Sequence, residues 1–538
     1  MISNKFNIIM QYFIAFYAMN KHIHNMSAFK NQNIYITTPI YYVNGEPHIG
    51  HFYTSLSADI LIRLYRKFGA NVRCLTGTDE HGQKVQQSAE KNGILPKEFC
   101  DKVSQKFRQM HIDFDLIHAE NNFDNGKNFI RTTDEEHIKF VQDVWKKLEE
   151  NGWIYKGKYE GWYSVRSEAF FTDKEVVDGK APDGTDVVRK EEECYFFKLS
   201  LFQTALYEMY KNNNILQPKS SWKEVLSFLE PKDGNKLNDL CVSRLKSSME
   251  WGIEVPTDKD HTIYVWIDAL FNYFSALGGD STEEFDKYWK NGFPIHLMAK
   301  EIVRFHAVYW ESLIYGLYHK ADEEIDVNEL VKVSPKQIFA HGWWVKDGEK
   351  MSKSIGNIVI PNDEVDWIES LGVSRDVAID YFRYFLISSM PFGNDGDYSR
   401  KRLVELVNAN LVNNLGNLCQ RVSSMLVKNF PEKCNDIKKD FIKLEFDTEI
   451  KDINFTGILQ KIFSEATLLN QEFDTLAPWS LMKGNDNDKQ KAFDILSSFI
   501  PKIKTLVDAL QPFCPHISKA LMQNLKLSAM PKIICNRL

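Results

Sequence analysis

Ile34-Tyr35-Ile36-Thr37-Thr38-Pro39, followed after a short loop by His48-Ile49-Gly50-His51, is the stretch that decides the fold. The first six residues are a β-branched and aromatic run closed by proline, which predicts a strand. Residues 50–68 have a helix-like apolar pattern, so the two imidazoles stand at the start of a helix. A strand, a phosphate-sized turn and a helix open an α/β domain with a doubly wound, Rossmann-like parallel sheet. A second strand, expected over 72–76, precedes Gly77-Thr78-Asp79-Glu80-His81-Gly82 and again puts polar groups just past a strand's C-terminal end. Ligands bind there in open parallel sheets.

Working outward, the first half of this domain covers 34–150. An inserted connective subdomain follows over 151–260, its 152–200 stretch rich in Tyr, Trp, Gly and charge with a turn at Pro182-Asp183-Gly184. The α/β pattern resumes over 261–335, with strands expected at 262–267 and 295–299, and a lysine-bearing loop and linker occupy 336–398. From 399 to 538, Leu403, Leu406, Val407, Leu411, Val412, Leu415 and Leu418 recur at three- and four-residue steps. That spacing predicts an all-α bundle, punctuated late by Pro512 and Pro515.

At 538 residues the chain exceeds what one core supports, so at least two domains are expected. Lys plus Arg total 66 against 73 Asp plus Glu, a net charge of −7, so a polyanion would have to be held by a local basic surface. The eight cysteines include no C-x-x-C pair, which argues against a disulfide framework or a zinc knuckle. The apolar stretch 6–18 holds Asn7 and Gln11 and falls short of the roughly twenty residues that span a bilayer. Residues 1–33 read as a leader: no Asp or Glu precedes Glu46, while Lys5, Lys21 and Lys30 add positive charge. This favours a targeting peptide and a mitochondrial matrix destination, with an untargeted cytoplasmic chain as the alternative.

At the start of a helix, free N–H groups and the positive dipole end favour phosphate, and Gly50 lets a ligand approach the backbone. His48 and His51 can then donate hydrogen bonds to charge developing on a transferring nucleotide. About three hundred residues later comes Lys350-Met351-Ser352-Lys353-Ser354-Ile355-Gly356-Asn357, two lysines among small hydroxylated residues with Gly348 and Gly356 at its edges. Such a cationic loop can close over a triphosphate. Either segment alone is weak; the pair, in this order, points to a nucleotide site.

Together the two segments resemble the signature motifs of the class I aminoacyl-tRNA synthetases, and further blocks resemble the methionyl members from about 34 to about 523. These are Thr38-Pro39-Ile40-Tyr41-Tyr42-Val43-Asn44-Gly45, residues 76–84, 129–133, 264–273 and 300–310, and His341-Gly342-Trp343-Trp344. The resemblance implies activation of L-methionine with ATP and Mg2+ and transfer to tRNA(Met). It gives His48, His51, Lys350 and Lys353 the catalytic roles, and ATP to these with Gly50, Lys300, Glu301 and Ser352. Methionine falls to Ile40, Tyr42, Asp79, Trp266, Ala269, Tyr273, Ile302, Phe305, His306 and Trp310, and the anticodon to Asn417, Arg421, Pro478 and Trp479. Ala299-Lys300-Glu301-Ile302 departs from the usual Gly-Lys-Asp-Ile, and Leu270 replaces a common proline. Serines in Gly161-Trp162-Tyr163-Ser164-Val165-Arg166-Ser167-Glu168 replace the usual cysteine ligands, so a zinc-free type, like the mitochondrial and related bacterial branch, is expected. No appended dimerisation or tRNA-binding domain is visible after the bundle, so a monomer is expected. The interval between the two signatures is too short for the editing domain that enzymes for leucine, isoleucine or valine require.

Overall fold

In the first strand, β1 (Asn33–Thr37), alternate residues feed two apolar layers: Ile34 and Ile36 enter one core, and Tyr35 the other. Such alternation marks a strand covered on both faces. The computed structural model describes residues 28–164, 169–171, 176–182, 184–232, 236–351, 356–437, 440–441 and 443–538. The leader segment 1–27 and Ser352, Lys353 and Ser354 lie outside the described residues.

After β1 come β2 (Tyr41–Tyr42), α1 (Ile49–Lys67), β3 (Asn71–Asp79), α2 (Pro96–Asp113), β4 (Phe129–Arg131) and α3 (Glu135–Glu150). The insertion contributes β5 (Ile154–Ser164), β6 (Ala169–Phe171), β7 (Val188–Phe197), β8 (Leu216–Gln217) and β9 (Leu240–Cys241). Next are α4 (Val265–Leu270), β10 (Phe293–Ala299), β11 (Gln337–His341), β12 (Trp344–Lys346) and β13 (Glu349–Lys350). The seven-stranded main sheet runs β2-β3-β1-β10-β11-β8, with β4 also on β3. All its pairings are parallel. Connections from β1 lead to β3 on one side, whereas β10 and β11 extend the sheet on the other, so the crevice past β1 and β10 is the switch point where ligands settle. β6, β5, β7 and β9 form a separate antiparallel sheet, while β8 pairs with β11 in the main one.

The strand expected over 262–267 ends at Ile263, and α4 takes over from Val265. An apolar run of this length does not distinguish strand from helix by period. The helical turn brings the buried Asp268 carboxylate to His81 and His137, contacts between residues 187 and 131 positions apart that local sequence does not encode.

The C-terminal part is helical, including α5 (Arg375–Ser388), α6 (Asn417–Asn429), α7 (Phe455–Leu476) and α8 (Asp486–Leu510). Its core is continuous with that under α1. At the seam, Asp59 of α1 and Arg383 of α5 are both fully buried and bonded at 2.6 Å, and Arg383 also donates to the Phe513 and Pro512 carbonyls at 3.1 and 3.2 Å. Burial alone would raise the Asp59 carboxyl; Arg63 and Arg383 outweigh it and hold it far below the usual range. Among the described residues no helix is long and apolar enough to cross a membrane.

Candidate active site

His48 is the extended N-cap of α1. Its Nδ1 accepts from the Gly50 N–H at 3.1 Å, and its own N–H donates to His51 Nδ1 at 3.2 Å. With both Nδ1 atoms accepting, each neutral ring carries its proton on Nε2, the donor arrangement an oxyanion needs. A Cβ on residue 50 would lie 2.9 Å from His48 Cε1, so glycine is what lets that ring fold back on the helix start. The two rings are 3.9 Å apart, and His51 is flanked by Tyr41 and Phe107 at 5.1 Å each.

The Ile49 N–H donates to the Val359 carbonyl at 2.9 Å, so the segment leaving the lysine loop is tied to the first turn of α1. Thr54 Oγ1 and His341 Nε2, 2.7 Å apart, join the same helix to the end of β11. Lys350 closes β13, opposite Val345 of β12; its side chain, like Ser352 and Lys353, lies outside what is described.

Past β10, Lys300 Nζ meets Asp395 Oδ2 at 2.7 Å and lies over the Trp343 ring at 4.4 Å, while Glu301 Oε2 accepts from Trp343 Nε1 at 2.5 Å. Asp395 Oδ1 takes the Trp343 N–H at 2.7 Å. The turn between β11 and β12 runs close to Asn394: a Cβ on Gly342 would meet the Asn394 carbonyl at 2.2 Å.

The expected methionine residues fall on neighbouring elements. Asp79 is buried at the end of β3, in register with Tyr42 of β2. Trp266 of α4 stacks flat on Phe305 at 3.6 Å, with Tyr42 edge-on to it at 6.5 Å. Ile40 and Ala269 are buried in the same apolar cluster, and Ile302 packs against it. Behind them, Tyr273 OH lies 2.7 Å from His306 Nε2, and His306 Nδ1 lies 3.0 Å from the Ile302 carbonyl. A carbonyl only accepts, so Nδ1 bears the proton and Tyr273 donates to Nε2.

His296, not anticipated from sequence, completes this wall. Its Nε2 accepts from Trp310 Nε1 at 3.1 Å and its Nδ1 faces Thr37 Oγ1 at 2.6 Å. Burial holds His306 down at about 4 and, with His306 beside it, His296 well below the ordinary imidazole value, so both are neutral. The available signal was a histidine inside the otherwise apolar run Ile295-His296-Leu297-Met298.

In the helical region, Arg421 of α6 bonds Asp474 at 2.9 Å and lies over the Phe473 and Trp479 rings at 4.7 and 5.3 Å. Pro478, buried, starts the turn that carries Trp479, and Asn417 is exposed at the head of α6. Arg421 and Trp479 thus share one surface cluster.

The family model "tRNA synthetases class I (M)" matches residues 34–186 and 182–423. The methionine–tRNA ligase of Rickettsia bellii is 39% identical over 521 residues, covering 94% of each chain. That of Clostridium acetobutylicum is 37% identical over 519 residues, covering 93% of this chain and 74% of its own. Among solved structures, Mycobacterium tuberculosis methionyl-tRNA synthetase in complex with methionyl-adenylate superposes with a TM-score of 0.79 at 33% identity, covering 91% of this chain and 93% of that one. A parallel sheet with these motifs, and relatives matched over about three quarters or more of their length, make one case: the chain belongs to the methionyl family of class I tRNA synthetases and has methionine–tRNA ligase activity.

Proposed function

We propose that the switch-point crevice activates L-methionine on ATP and Mg2+ and passes it to tRNA(Met), with the roles divided as follows. The methionine carboxylate attacks the α-phosphorus of ATP, pyrophosphate leaves, and a 3′-terminal hydroxyl of tRNA(Met) then attacks the mixed anhydride and expels AMP. No protein nucleophile is needed; the reaction asks for positioned donors and cations. His48 and His51 supply Nε2–H groups to the α-phosphate as charge builds, at a helix start where the dipole favours anions. Lys350, Ser352 and Lys353 serve the leaving pyrophosphate, and Lys300 and Glu301 the ribose side. Asp79 takes the ammonium group, and the rings of Tyr42, Trp266 and Phe305 meet the thioether, whose sulfur gains about 0.3–1.5 kcal/mol per ring.

The observation that carries this reading is the Ile49 N–H to Val359 carbonyl bond at 2.9 Å, which joins the imidazole helix to the chain leaving the lysine loop. The solved relative that holds methionyl-adenylate supports the same use of ATP. Lys353→Ala is the direct test: methionine-dependent pyrophosphate exchange should fall by about 10²–10³. Exchange at the wild-type rate would remove the loop from the mechanism.

Asn417, Arg421, Pro478 and Trp479 are proposed to read the anticodon, since unstacked bases are held by aromatic faces and guanidinium planes. A zinc-free, mitochondrial-type enzyme acting as a monomer is also proposed. Ser164 supports the first part, its hydroxyl bonded to Thr185 at 2.7 Å where a thiolate ligand is expected in zinc-bearing relatives. Metal analysis of the purified protein tests it. For the matrix destination, a tagged full-length chain is compared with one starting at Met26; identical cytosolic distributions would leave the cytoplasmic alternative.

A further inference from the structure

Asp79 and Trp266, assigned above to the two ends of methionine, lie on elements far apart in sequence, and a few buried polar groups fix one against the other. Past Asp79 the chain is gripped twice. Glu80, fully buried, takes Arg131 Nε and Nη2 on its two oxygens at 2.7 and 2.8 Å and the Thr78 hydroxyl at 2.7 Å, while its carbonyl accepts from Trp251 Nε1 at 2.6 Å. The next residue, His81, places Nδ1 at 2.7 Å from Asp268 Oδ2. Asp268 Oδ1 is held by His137 Nε2 at 2.8 Å, and His137 Nδ1 meets Ser275 Oγ at 2.7 Å. A carboxylate only accepts, so both imidazoles present N–H to it.

We propose that Asp268 is a positioning residue for methionine recognition: by binding His81 it sets the separation between Asp79 and Trp266, and so the length of side chain the subsite accepts. This rests on the reading of Asp79 and Trp266 given above. The leverage is geometric. Asp79 is two residues before His81, Trp266 is two residues before Asp268, and the joining bond is charge-assisted and 1% exposed on the carboxylate side. His137 on α3, itself held by Ser275, bonds the second oxygen, so the carboxylate cannot rotate away from His81 without losing both of its bonds. A loosened bond leaves the ATP groups at the start of α1 in place and changes only the span of the amino-acid subsite.

The test uses the full-length enzyme with Asp268→Asn, His81→Ala, His81→Asn and Trp266→Ala, reading pyrophosphate exchange, active-site titre by adenylate burst, and the ethionine-to-methionine ratio of kcat/KM. Asp268→Asn and His81→Ala should each raise KM for methionine about tenfold, leave KM for ATP within about twofold, and shift the ratio toward the longer ethionine. His81→Asn, whose side-chain N–H stands near the Nδ1 position, should restore most of the wild-type KM. If Asp268→Asn lowers only the titre or kcat, with KM and the analogue ratio of wild type, Asp268 is merely structural and the proposal fails. If Trp266→Ala leaves methionine KM unchanged, the underlying subsite reading fails and this one with it. A clear effect of Trp266→Ala beside a silent Asp268→Asn overturns the positioning role alone.

Discussion

Two histidine pairs border the crevice, and the same side chain is put to opposite uses in them. His48 and His51 are half-buried at the start of α1, with Nδ1 engaged by backbone N–H groups and Nε2 carrying the proton. His296 and His306 are fully buried among Tyr273, Trp310 and Trp289, with Trp310 and Tyr273 donating to their Nε2 atoms. In the outer pair the helix start engages Nδ1 of each ring, and the proposed mechanism turns that pair toward the nucleotide; the inner pair is bonded within the wall at both nitrogens, which fixes ring orientation. What distinguishes them is which nitrogen accepts, Nδ1 in the outer pair and Nε2 in the inner, together with depth of burial.

If that division holds, the largest losses come from the outer pair. His51→Ala and His48→Ala should each lower kcat for pyrophosphate exchange by about 10²–10³, as removal of an oxyanion donor does elsewhere, with KM for methionine close to wild type. A change confined to KM would erase the contrast. A control remote from both pairs is Trp479→Ala, expected to raise KM for tRNA(Met) by roughly 10- to 100-fold, the value of one base stack, while exchange stays unchanged. For the inner pair, His306→Phe keeps an aromatic ring but strands the buried Tyr273 hydroxyl. That should raise KM for methionine by about tenfold and leave kcat nearly intact.

The smallest effect concerns pH. Burial depresses His306 to about 4 from an ordinary 6.5, so as pH falls below the ordinary value the unfolded chain takes up the proton first. Its stabilising contribution is therefore present above about 6.5 and lost progressively down to about 4, and His111, likewise lowered by burial to about 4, adds to the loss. Thermal melting between these limits should fall with acidity, and His306→Phe should flatten the slope. An unchanged slope would mean that His306 titrates normally in the folded protein.

The outer pair was legible in the sequence because His48, Gly50 and His51 are neighbours and their helix start is a local feature. Asp79, Trp266 and Phe305 needed the family resemblance, since nothing in an isolated aromatic separates a cage from a core. His296 and the His81–Asp268–His137 bridge were missed because their partners lie 259, 187 and 131 residues away, as Thr37, His81 and His137 show. The strand expected over 262–267 gives way to helix from Val265 for the same reason: period alone does not place that boundary, and the hydrogen-bond partners of Asp268 are remote in sequence. Polar residues within apolar runs, Asp268 and His296, were the traces that a purely periodic reading passes over.

The Asp59–Arg383 contact has a bearing on how this protein can be taken apart. A guanidinium sealed between the catalytic helix and the carbonyls of Pro512 and Phe513 leaves no clean place to cut. A fragment ending before the bundle would keep the carboxylate and the cation yet lose the carbonyls, and would open the shared apolar interior to solvent. The two halves are thus expected to melt as one cooperative unit, so excising a minimal catalytic piece calls for redesign of that seam.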